Sequence, residues 1–237
     1  MALETRKITP IERIDEGMQA YFSKIYAYMA GALGVSAVSA YFSAKDPILS
    51  LLYTVTEKGL TPSLLGILTM IAPLAIVFFI SMGKFSLSNT KLLFWGFSVL
   101  MGISLSSILL TYTAGSVFQI FLVTACSFLG MSLYARSTQR DFSAWGSFLT
   151  MGVIGLIVTM VINLFLKSNF LTMAGSLVSV VIFAGLTIYE TQRLKYMYSA
   201  AFSAEEREAV ALRGALSLYI SFINLFVSLL NLAGDRR

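Results

Sequence analysis

Seven apolar segments, each close to the length of a membrane-spanning helix, dominate the 237-residue sequence. About 20 residues, at a rise of about 1.5 Å each, cross the hydrocarbon core of a bilayer. Charged residues make up only 12% of the chain, whereas soluble globular domains carry about 25%. The sequence therefore predicts an all-α integral membrane protein with seven transmembrane helices in one bundle, at residues 22–43, 63–82, 92–112, 115–134, 144–166, 170–190 and 210–232.

The connections between these segments are mostly short, so no second domain is expected. We predict a cytoplasmic N-terminal segment over residues 1–21, the transmembrane domain over 22–232 and a short C-terminal tail over 233–237. A further apolar run, residues 48–55, is too short to cross a bilayer and is predicted to lie along the surface of the first loop. The N-terminus has charges of both signs and does not resemble a secretory signal.

Lysine and arginine are distributed unequally between the two sides of the predicted bundle. With the N-terminus inside the cell, 12 of the 17 basic residues lie on the cytoplasmic side and five lie outside. Because basic loops stay in the cytoplasm, we predict a cytoplasmic N-terminus and a C-terminus outside. The net charge of +5 is assigned to this orientation, and no nucleic-acid partner is predicted.

Histidine is absent from the sequence, and Cys126 is its only cysteine. Disulfides, thiolate zinc sites and Ser–His or Cys–His catalysis are therefore excluded. We predict no enzymatic activity and no resident cofactor. Cys126 is predicted to be an inert buried residue, and Tyr189 and Tyr219 are predicted to be aromatic anchors near the membrane interface.

Small residues recur every three or four positions in the first and third predicted spans. They are Ala32, Ser36, Ser39 and Ser43, and Ser98, Gly102 and Ser106. Such residues let helix backbones approach closely where no hydrophobic force acts between helices. They are predicted to be packing seams, and Pro73 is predicted to kink the second span.

Glu190 is the one acidic residue that ends an uninterrupted apolar run, since the other 11 lie in predicted tails or loops. It precedes Arg193 by three residues, which puts it a few ångströms below the cytoplasmic surface. An ionised carboxylate at that depth costs on the order of 3 kcal/mol unless water, a cation or a proton relieves it. Glu190 is therefore either an adjustable proton switch or an interfacial residue that anchors its helix by pairing with Arg193 or Lys195.

Polar and small residues form a line along each of the last two predicted spans. They are Thr172, Ser176, Ser179, Thr187 and Glu190, interrupted by Phe183, and Gly214, Ser217, Ser221, Asn224, Ser228 and Asn231. Because polar side chains avoid lipid, the two lines are predicted to face each other inside the bundle. An ion pathway and plain interhelical hydrogen bonding, at about 0.6 kcal/mol per contact, both account for them.

The last helix is predicted to begin well before its membrane span. Ser203 and Glu206 fit the S-x-x-E capping box, in which each residue satisfies a backbone N–H group of the other. The helix is therefore expected to start in water at this motif.

Two stretches resemble the closing motifs of the transmembrane Bax-inhibitor-motif family: LTIYETQRLK at residues 186–195 and GALSLYISFINLF at residues 214–226. In that family the sixth span ends in a Tyr-Asp-Thr-Gln-like run, and the seventh contains Leu-Tyr-Leu-Asp-Phe-Ile-Asn-Leu-Phe. The stretch MSLYARSTQRDFSAWGSFLTMGVIGLIV at residues 131–158 is similar to the family's fourth loop and fifth span. The resemblance implies seven helices, the last surrounded by the other six, in a bacterial plasma membrane.

The resemblance also implies a pH-sensitive calcium leak, gated by two aspartates that share a proton and pair with an arginine. Glu190 stands at the first aspartate position and Ser221 at the second, so the acidic pair is altered. Lys84 is the nearest counterpart of the arginine. Because two carboxylates hold a proton and offer two ligands to calcium, one glutamate beside a serine is expected to give a slower, less steeply pH-dependent flux.

The candidate residues for an ion pathway or for pH sensing are Glu190, Ser221, Asn224 and Thr187. Lys84 and Arg193 are the candidate cation partners, and Glu190 is a weak candidate ligand for a transient calcium ion. The expected partners are the lipid bilayer, calcium ions and another membrane protein. The alternative function is a non-conducting membrane protein that modulates other membrane machinery, such as a quality-control protease.

Overall fold

A computed structural model describes residues 10–56, 59–82, 85–200 and 203–237, most of them helical. Lys84 lies outside the described residues. The elements in chain order are α1 (Pro10–Ser43), α2 (Ile48–Leu52), β1 (Tyr53–Thr56), β2 (Gly59–Pro62), α3 (Leu64–Met82), α4 (Leu87–Thr111), α5 (Ala114–Ser137), α6 (Trp145–Leu166), α7 (Asn169–Ala200) and α8 (Ala204–Ala233).

Six helices, α1 and α4 to α8, are long and apolar enough to cross a membrane, counting only the described residues. The predicted class, an all-α membrane bundle, is confirmed. The predicted second span corresponds to α3, whose apolar part, Leu64–Ile80, is shorter than the other six and contains Pro73. The 19 residues of α3 extend over about 28 Å, close to the thickness of the hydrocarbon core.

Three helices extend well beyond the spans predicted from apolarity. α1 begins at Pro10 rather than at Phe22, α7 continues past Glu190 to Ala200, and α8 begins at Ala204. Hydropathy marks only the part of a helix that lies in lipid, whereas polar helix formers carry the same helix into water. The predicted N-terminal segment therefore contains the first turns of α1.

The predicted capping box at the start of α8 is confirmed. Ser203 Oγ accepts a hydrogen bond from the Glu206 backbone N–H at 3.0 Å, and Glu206 Oε2 accepts one from the Ser203 N–H at 2.9 Å. Each bond satisfies a backbone donor that has no partner within the helix. α8 therefore starts before its apolar stretch begins.

Different contacts mark the two ends of the bundle. At one end, called here the Glu208 end, the Glu208 carboxylate of α8 pairs with Lys24 of α1 and with Lys91 of α4. At the opposite end, the Asp235 end, the Asp235 carbonyl oxygen accepts a hydrogen bond from the Thr113 N–H at 3.0 Å. Because Lys24 and Lys91 lie in the first parts of α1 and α4, these helices run in the same direction as α8. The chain returns between them through α3.

A β-hairpin follows the first long helix and was not predicted. The apolar run at residues 48–55 forms α2 and then β1, which pairs antiparallel with β2 so that Tyr53 lies opposite Pro62. Leu52 and Tyr53 are buried, so the prediction of a surface location is wrong for these two residues. The alternating Tyr, Thr and Val residues favour a strand, but the run is too short for its period to distinguish strand from helix.

Aromatic rings pack around α8, which carries much of the buried core. The most apolar window of α8 is 61% buried, against 28% or less in the other five candidate spans. The Tyr219 ring meets that of Phe97 on α4, with centroids 5.3 Å apart. The Phe222 ring meets that of Phe128 on α5 at 5.6 Å. Edge-to-face contacts of this kind tie α8 to its neighbours.

Two residues have environments opposite to those predicted. Cys126 of α5 is exposed, because most of the apolar window of α5 faces outward and only 22% of it is buried. Tyr219 is fully buried rather than at the membrane interface. Its hydroxyl lies 2.8 Å from Ser36 Oγ, so a partner inside the bundle replaces interfacial water.

The predicted packing seams of the first and third spans meet each other, as α1 against α4. Ser36 Oγ donates to the Ser98 carbonyl oxygen at 2.6 Å. A Cβ atom at Gly102 would lie 2.7 Å from Ser39 Cβ and 2.8 Å from Ser36 Cα. Small residues therefore bring the two backbones together, as expected for helices in lipid.

Candidate functional site

A cavity of about 350 Å³ lies between α3, α7 and α8 at the Glu208 end of the bundle. Its polar lining consists of Glu190 and Arg193 of α7 and Arg213 and Ser217 of α8. Apolar side chains form the other walls, among them Val77, Ile80, Met197, Val210, Leu216 and Ile220. The cavity therefore combines one carboxylate and two guanidinium groups with an apolar surround.

Glu190 is largely enclosed, with 14% of its side chain exposed. Its Oε1 lies 3.5 Å from a guanidinium nitrogen of Arg193, one turn along α7. Ser217 of the neighbouring helix α8 lines the same cavity, with its hydroxyl within reach of the Glu190 carboxylate. Of the two predicted ion-pair partners, Arg193 is in contact, whereas Lys195 Nζ lies 3.4 Å from the Arg136 carbonyl oxygen.

Ser217, rather than Ser221, is the α8 residue that meets Glu190. Ser221 is buried one turn further along the helix and does not line the cavity. Four residues of helix correspond to about 6 Å, which separates the two serines in depth. The family motif points to the Ser221 position, but the line of polar residues along the last span also contains Ser217. That periodicity puts both serines on the face that turns toward α7, but it does not choose between them.

The other two candidate pathway residues bond to carbonyl groups of their own helices. Thr187 Oγ1 donates to the Phe183 carbonyl oxygen at 2.8 Å. Asn224 Nδ2 donates to the Ile220 carbonyl oxygen at 2.8 Å. Such bonds satisfy a polar side chain without a partner on another helix. The structure therefore brings Ser217 and Arg193 to Glu190, and it leaves Thr187 and Asn224 bonded elsewhere.

The two polar lines nevertheless face each other, as predicted. α7 and α8 form the most extensive helix pair among the described residues. Ser228 Oγ of α8 donates to Ser179 Oγ of α7 at 2.7 Å, toward the Asp235 end. Ser217 meets Glu190 toward the Glu208 end. Each pair satisfies polar groups that lipid would not solvate.

The residues around Glu190 are poor ligands for a metal ion. No group of three or more acidic, histidine or cysteine side chains that could hold a metal occurs among the described residues. Calcium prefers about six to eight oxygen ligands, several of them anionic. One carboxylate, the Ser217 hydroxyl and two guanidinium groups do not supply that set, so the arrangement suits at most a transient contact with a passing cation.

Gln192, next to the candidate site, holds the connection between α5 and α6. Its Oε1 accepts a hydrogen bond from the Phe142 N–H at 2.9 Å, and its Nε2 donates to the Arg140 carbonyl oxygen at 2.5 Å. In the same connection, hydrogen bonds from Ser143 lower the pKa of Asp141. Sequence reasoning did not assign a role to Gln192, because its partners lie about 50 residues away along the chain.

Glu208 is a second acidic residue whose role the sequence did not reveal. Its carboxylate pairs with Lys24 and, at 3.0 Å, with Lys91. It also accepts a hydrogen bond from the Tyr28 hydroxyl at 2.6 Å. These contacts tie the start of α8 to α1 and α4. Glu208 falls within α8, as expected for a helix that starts at the Ser203 capping box.

Long apolar helices with few charges, and with polar lines turned toward each other, define a polytopic α-helical membrane protein. The family described as Inhibitor of apoptosis-promoting Bax1 matches residues 18–237. The chain belongs to that family, and the resemblance found in its closing motifs is confirmed.

Similar proteins come from several bacteria. A protein of Rickettsia prowazekii is 40% identical over 226 residues, which cover 94% of this chain and 92% of the relative. The inner membrane protein YbhL of Escherichia coli is 38% identical over 227 residues, covering 93% and 94%. A protein of Caulobacter vibrioides is 39% identical over 230 residues, covering 94% and 92%. These matches span nearly the whole chain, and one of these relatives is an inner membrane protein.

Proposed function

We propose that this protein is a multi-pass membrane protein with a slow, pH-sensitive leak for calcium or other cations, closed around Glu190. The family resemblance supplies the class of activity. The observation that carries the proposal is the position of Glu190, a largely enclosed acid where α7, α8 and a cavity meet. Ionisable side chains within membrane helices generally face water-filled cavities or ion routes.

The ion pair between Glu190 and Arg193 accounts for a closed state. With Glu190 ionised, the cavity carries one negative and two positive charges, since Arg193 and Arg213 both line it. A divalent cation is repelled by this excess until Arg193 leaves the carboxylate. The Arg193 side chain is 53% exposed, so it has room to swing toward water.

A single carboxylate is expected to respond to pH differently from an aspartate pair. Two carboxylates in contact share a proton and titrate as a coupled unit, whereas Glu190 titrates as one group. We therefore expect any flux to be slower and less steeply pH-dependent than in family members with both aspartates. Calcium is the cargo in this proposal, and no resident cofactor or enzymatic reaction is proposed.

Calcium flux into liposomes that hold the purified full chain, measured over a series of pH values, tests the proposal. Glu190→Gln removes the one carboxylate in the described cavity lining. It is expected to lower the flux by roughly tenfold or more and to remove its pH dependence. Glu205→Gln changes an exposed acid at the same end of α8 and is the matched control. Equal flux in the wild type and Glu190→Gln overturns the proposed role.

Two aspartate variants test which serine position is coupled to Glu190. Ser221 is the position that the family motif assigns to the second aspartate, and Ser217 is the residue that lies next to Glu190 in the structure. Ser217→Asp adds a carboxylate against Glu190, so the two are expected to share a proton and steepen the pH profile. Ser221→Asp adds one about 6 Å further along the helix and is expected to change the profile less. A larger change in the pH profile of flux for Ser221→Asp than for Ser217→Asp contradicts the contact between Glu190 and Ser217. An unchanged pH profile in both variants counts against the expectation that two carboxylates share a proton.

The topology that accompanies this proposal has seven spans, with α3 as the short second one, α8 enclosed by the others and residence in a bacterial plasma membrane. The parallel course of α1 and α4 supports a crossing by α3. The Glu208 end is proposed to be cytoplasmic, so that the C-terminus lies outside. Nine described basic residues on this side support the orientation, against four on the other: Arg13, Lys24, Lys91, Arg136, Arg140, Arg193, Lys195, Arg207 and Arg213, against Lys45, Lys167, Arg236 and Arg237.

A non-conducting interaction protein is the second candidate, and the packing around α8 favours it. Phe97, Phe128, Tyr219 and Phe222 are buried beyond the cavity, where they fill space that a wide ion route would need. In this candidate the bundle modulates another membrane protein, such as a quality-control protease. A purified chain without flux, together with a partner that co-purifies specifically from native membranes, supports this function instead.

A further inference from the structure

We propose that the cavity between α3, α7 and α8 binds the phosphate headgroup of an anionic phospholipid through Arg193 and Arg213. Both arginines line the cavity, one from each helix of the α7–α8 pair. The proposal concerns a lipid ligand and goes beyond ion conduction, since binding does not require that the protein conduct.

The charge of the cavity favours an anion. The negative charge of Glu190 offsets one of the two positive charges, that of Arg193, with which it forms an ion pair. Arg213 is exposed and has no ion-pair partner among the described residues. A phosphate carries oxygens that match the paired N–H donors of a guanidinium group. One arginine is therefore open to a phosphate, and the second lies in the same cavity.

The shape of the cavity favours a lipid over a free phosphate. α3 packs extensively on α4 but makes at most sparse contact with α7 and α8 among the described residues. This leaves a seam on the outside of the bundle. Below the arginines the seam is lined by Val77 and Ile80 of α3 and by Ile220 of α8.

The apolar walls continue from the charged level into the depth of the membrane. From Arg213 to Ile220 the helix advances about 10 Å, which is enough to accommodate the upper part of an acyl chain below a headgroup. Basic pockets between transmembrane helices at the cytoplasmic side are known sites for anionic headgroups. A soluble phosphate would contact the arginines but leave this apolar surface uncovered.

Glu190 competes with the lipid in this arrangement. A phosphate between the two arginines competes with the carboxylate for the Arg193 guanidinium group and is repelled by the negative charge of Glu190. Removing the charge at position 190 is therefore expected to strengthen lipid binding. This effect is independent of whether Glu190 supports an ion leak.

Native mass spectrometry of the purified full chain tests the proposal. The probes are phosphatidylglycerol, phosphatidylcholine and inorganic phosphate, each added to the delipidated protein. The wild type is expected to retain phosphatidylglycerol at least about fivefold more strongly than phosphatidylcholine, and Arg213→Gln is expected to lower that retention by about fivefold. Arg193→Gln is expected to weaken it as well, and Glu190→Gln to strengthen it.

Arg207→Gln is the matched control, since it removes one charge from an exposed arginine at the same end of α8, outside the cavity lining. The Arg207→Gln variant is expected to retain phosphatidylglycerol within about twofold of the wild type. Arg213→Lys, which keeps the positive charge, is expected to recover part of the retention that Arg213→Gln loses. An equal loss in Arg207→Gln and Arg213→Gln overturns the proposal in favour of general surface charge. Inorganic phosphate that displaces the lipid efficiently overturns it in favour of a soluble anion. Because retention is read without flux, a failed leak assay leaves this test intact.

Discussion

α6 and α8 are both apolar helices of membrane-spanning length, yet their environments are nearly opposite. α6 is the more apolar of the two, but its most apolar window is 6% buried, whereas that of α8 is 61% buried. Phe148 and Phe165 of α6 are exposed on the outside of the bundle, while Leu218 and Tyr219 of α8 are fully enclosed. Hydropathy therefore identifies a membrane helix without locating it in the bundle.

The difference lies in where the polar groups of each helix find their partners. Thr150 and Thr159 of α6 each donate to a carbonyl oxygen of α6 itself, at 2.8 Å. In α8, Glu208 contacts α1 and α4, Tyr219 contacts α1, and Ser228 contacts α7. Asn163, near the end of α6, does bond to a neighbouring helix, donating to Thr172 Oγ1 of α7 at 2.8 Å. A helix with few such bonds can face lipid, whereas one that bonds to several neighbours is held among them.

The largest loss of stability is expected when the Tyr219 side chain is truncated, because Tyr219 is fully buried and in contact with Ser36 and Phe97. Tyr219→Ala leaves a cavity inside the bundle and removes the hydrogen bond to Ser36, which keeps its bond to the Ser98 carbonyl oxygen. It is expected to lower the free energy of unfolding by about 3 kcal/mol, measured by denaturation with sodium dodecyl sulfate from mild detergent. Phe165→Ala on α6, where the ring is 83% exposed, is the control and is expected to change it by less than about 0.5 kcal/mol. A similar loss of unfolding free energy in both variants would contradict the conclusion that α8 is enclosed in the bundle while α6 faces outward.

A pair of glycine variants extends the comparison to backbone packing. Gly102 of α4 lies against α1, and an added Cβ would press on Ser36 and Ser39. A Cβ atom added at Gly155 of α6 would lie in open space, with no heavy atom of a neighbouring residue within 4 Å. Gly102→Val is therefore expected to destabilise the bundle by about 2 kcal/mol, and Gly155→Val to leave its stability nearly unchanged. Thermal unfolding in detergent measures both, and a stable Gly102→Val protein would show that α1 and α4 can separate without loss.

The predictable features are those that depend on local pattern. Apolar length identified the helices, the Ser203 and Glu206 spacing identified the start of α8, and small-residue periodicity identified the seam at Gly102. The contacts of Glu190 were only partly predictable. Its partner Arg193 is close in sequence. Whether Ser217 or Ser221 lies next to Glu190, however, depends on the relative height of α7 and α8, that is, on how far the two helices are shifted along their axes. Sequence periodicity specifies a helix face and carries no information about that height.

The smallest effect concerns the single hydrogen bond between Ser228 of α8 and Ser179 of α7, at 2.7 Å. Ser228→Ala removes one hydroxyl, and Ser179 keeps the option of bonding to its own helix. The expected loss is therefore about 0.6 kcal/mol, the average for interhelical hydrogen bonds in membranes. Thr159→Val removes a hydroxyl that bonds only within α6 and is expected to cost less. If both changes cost the same in denaturation with sodium dodecyl sulfate, the polar line of α8 does not fix its contact with α7, and the aromatic and glycine contacts must hold α8 in place.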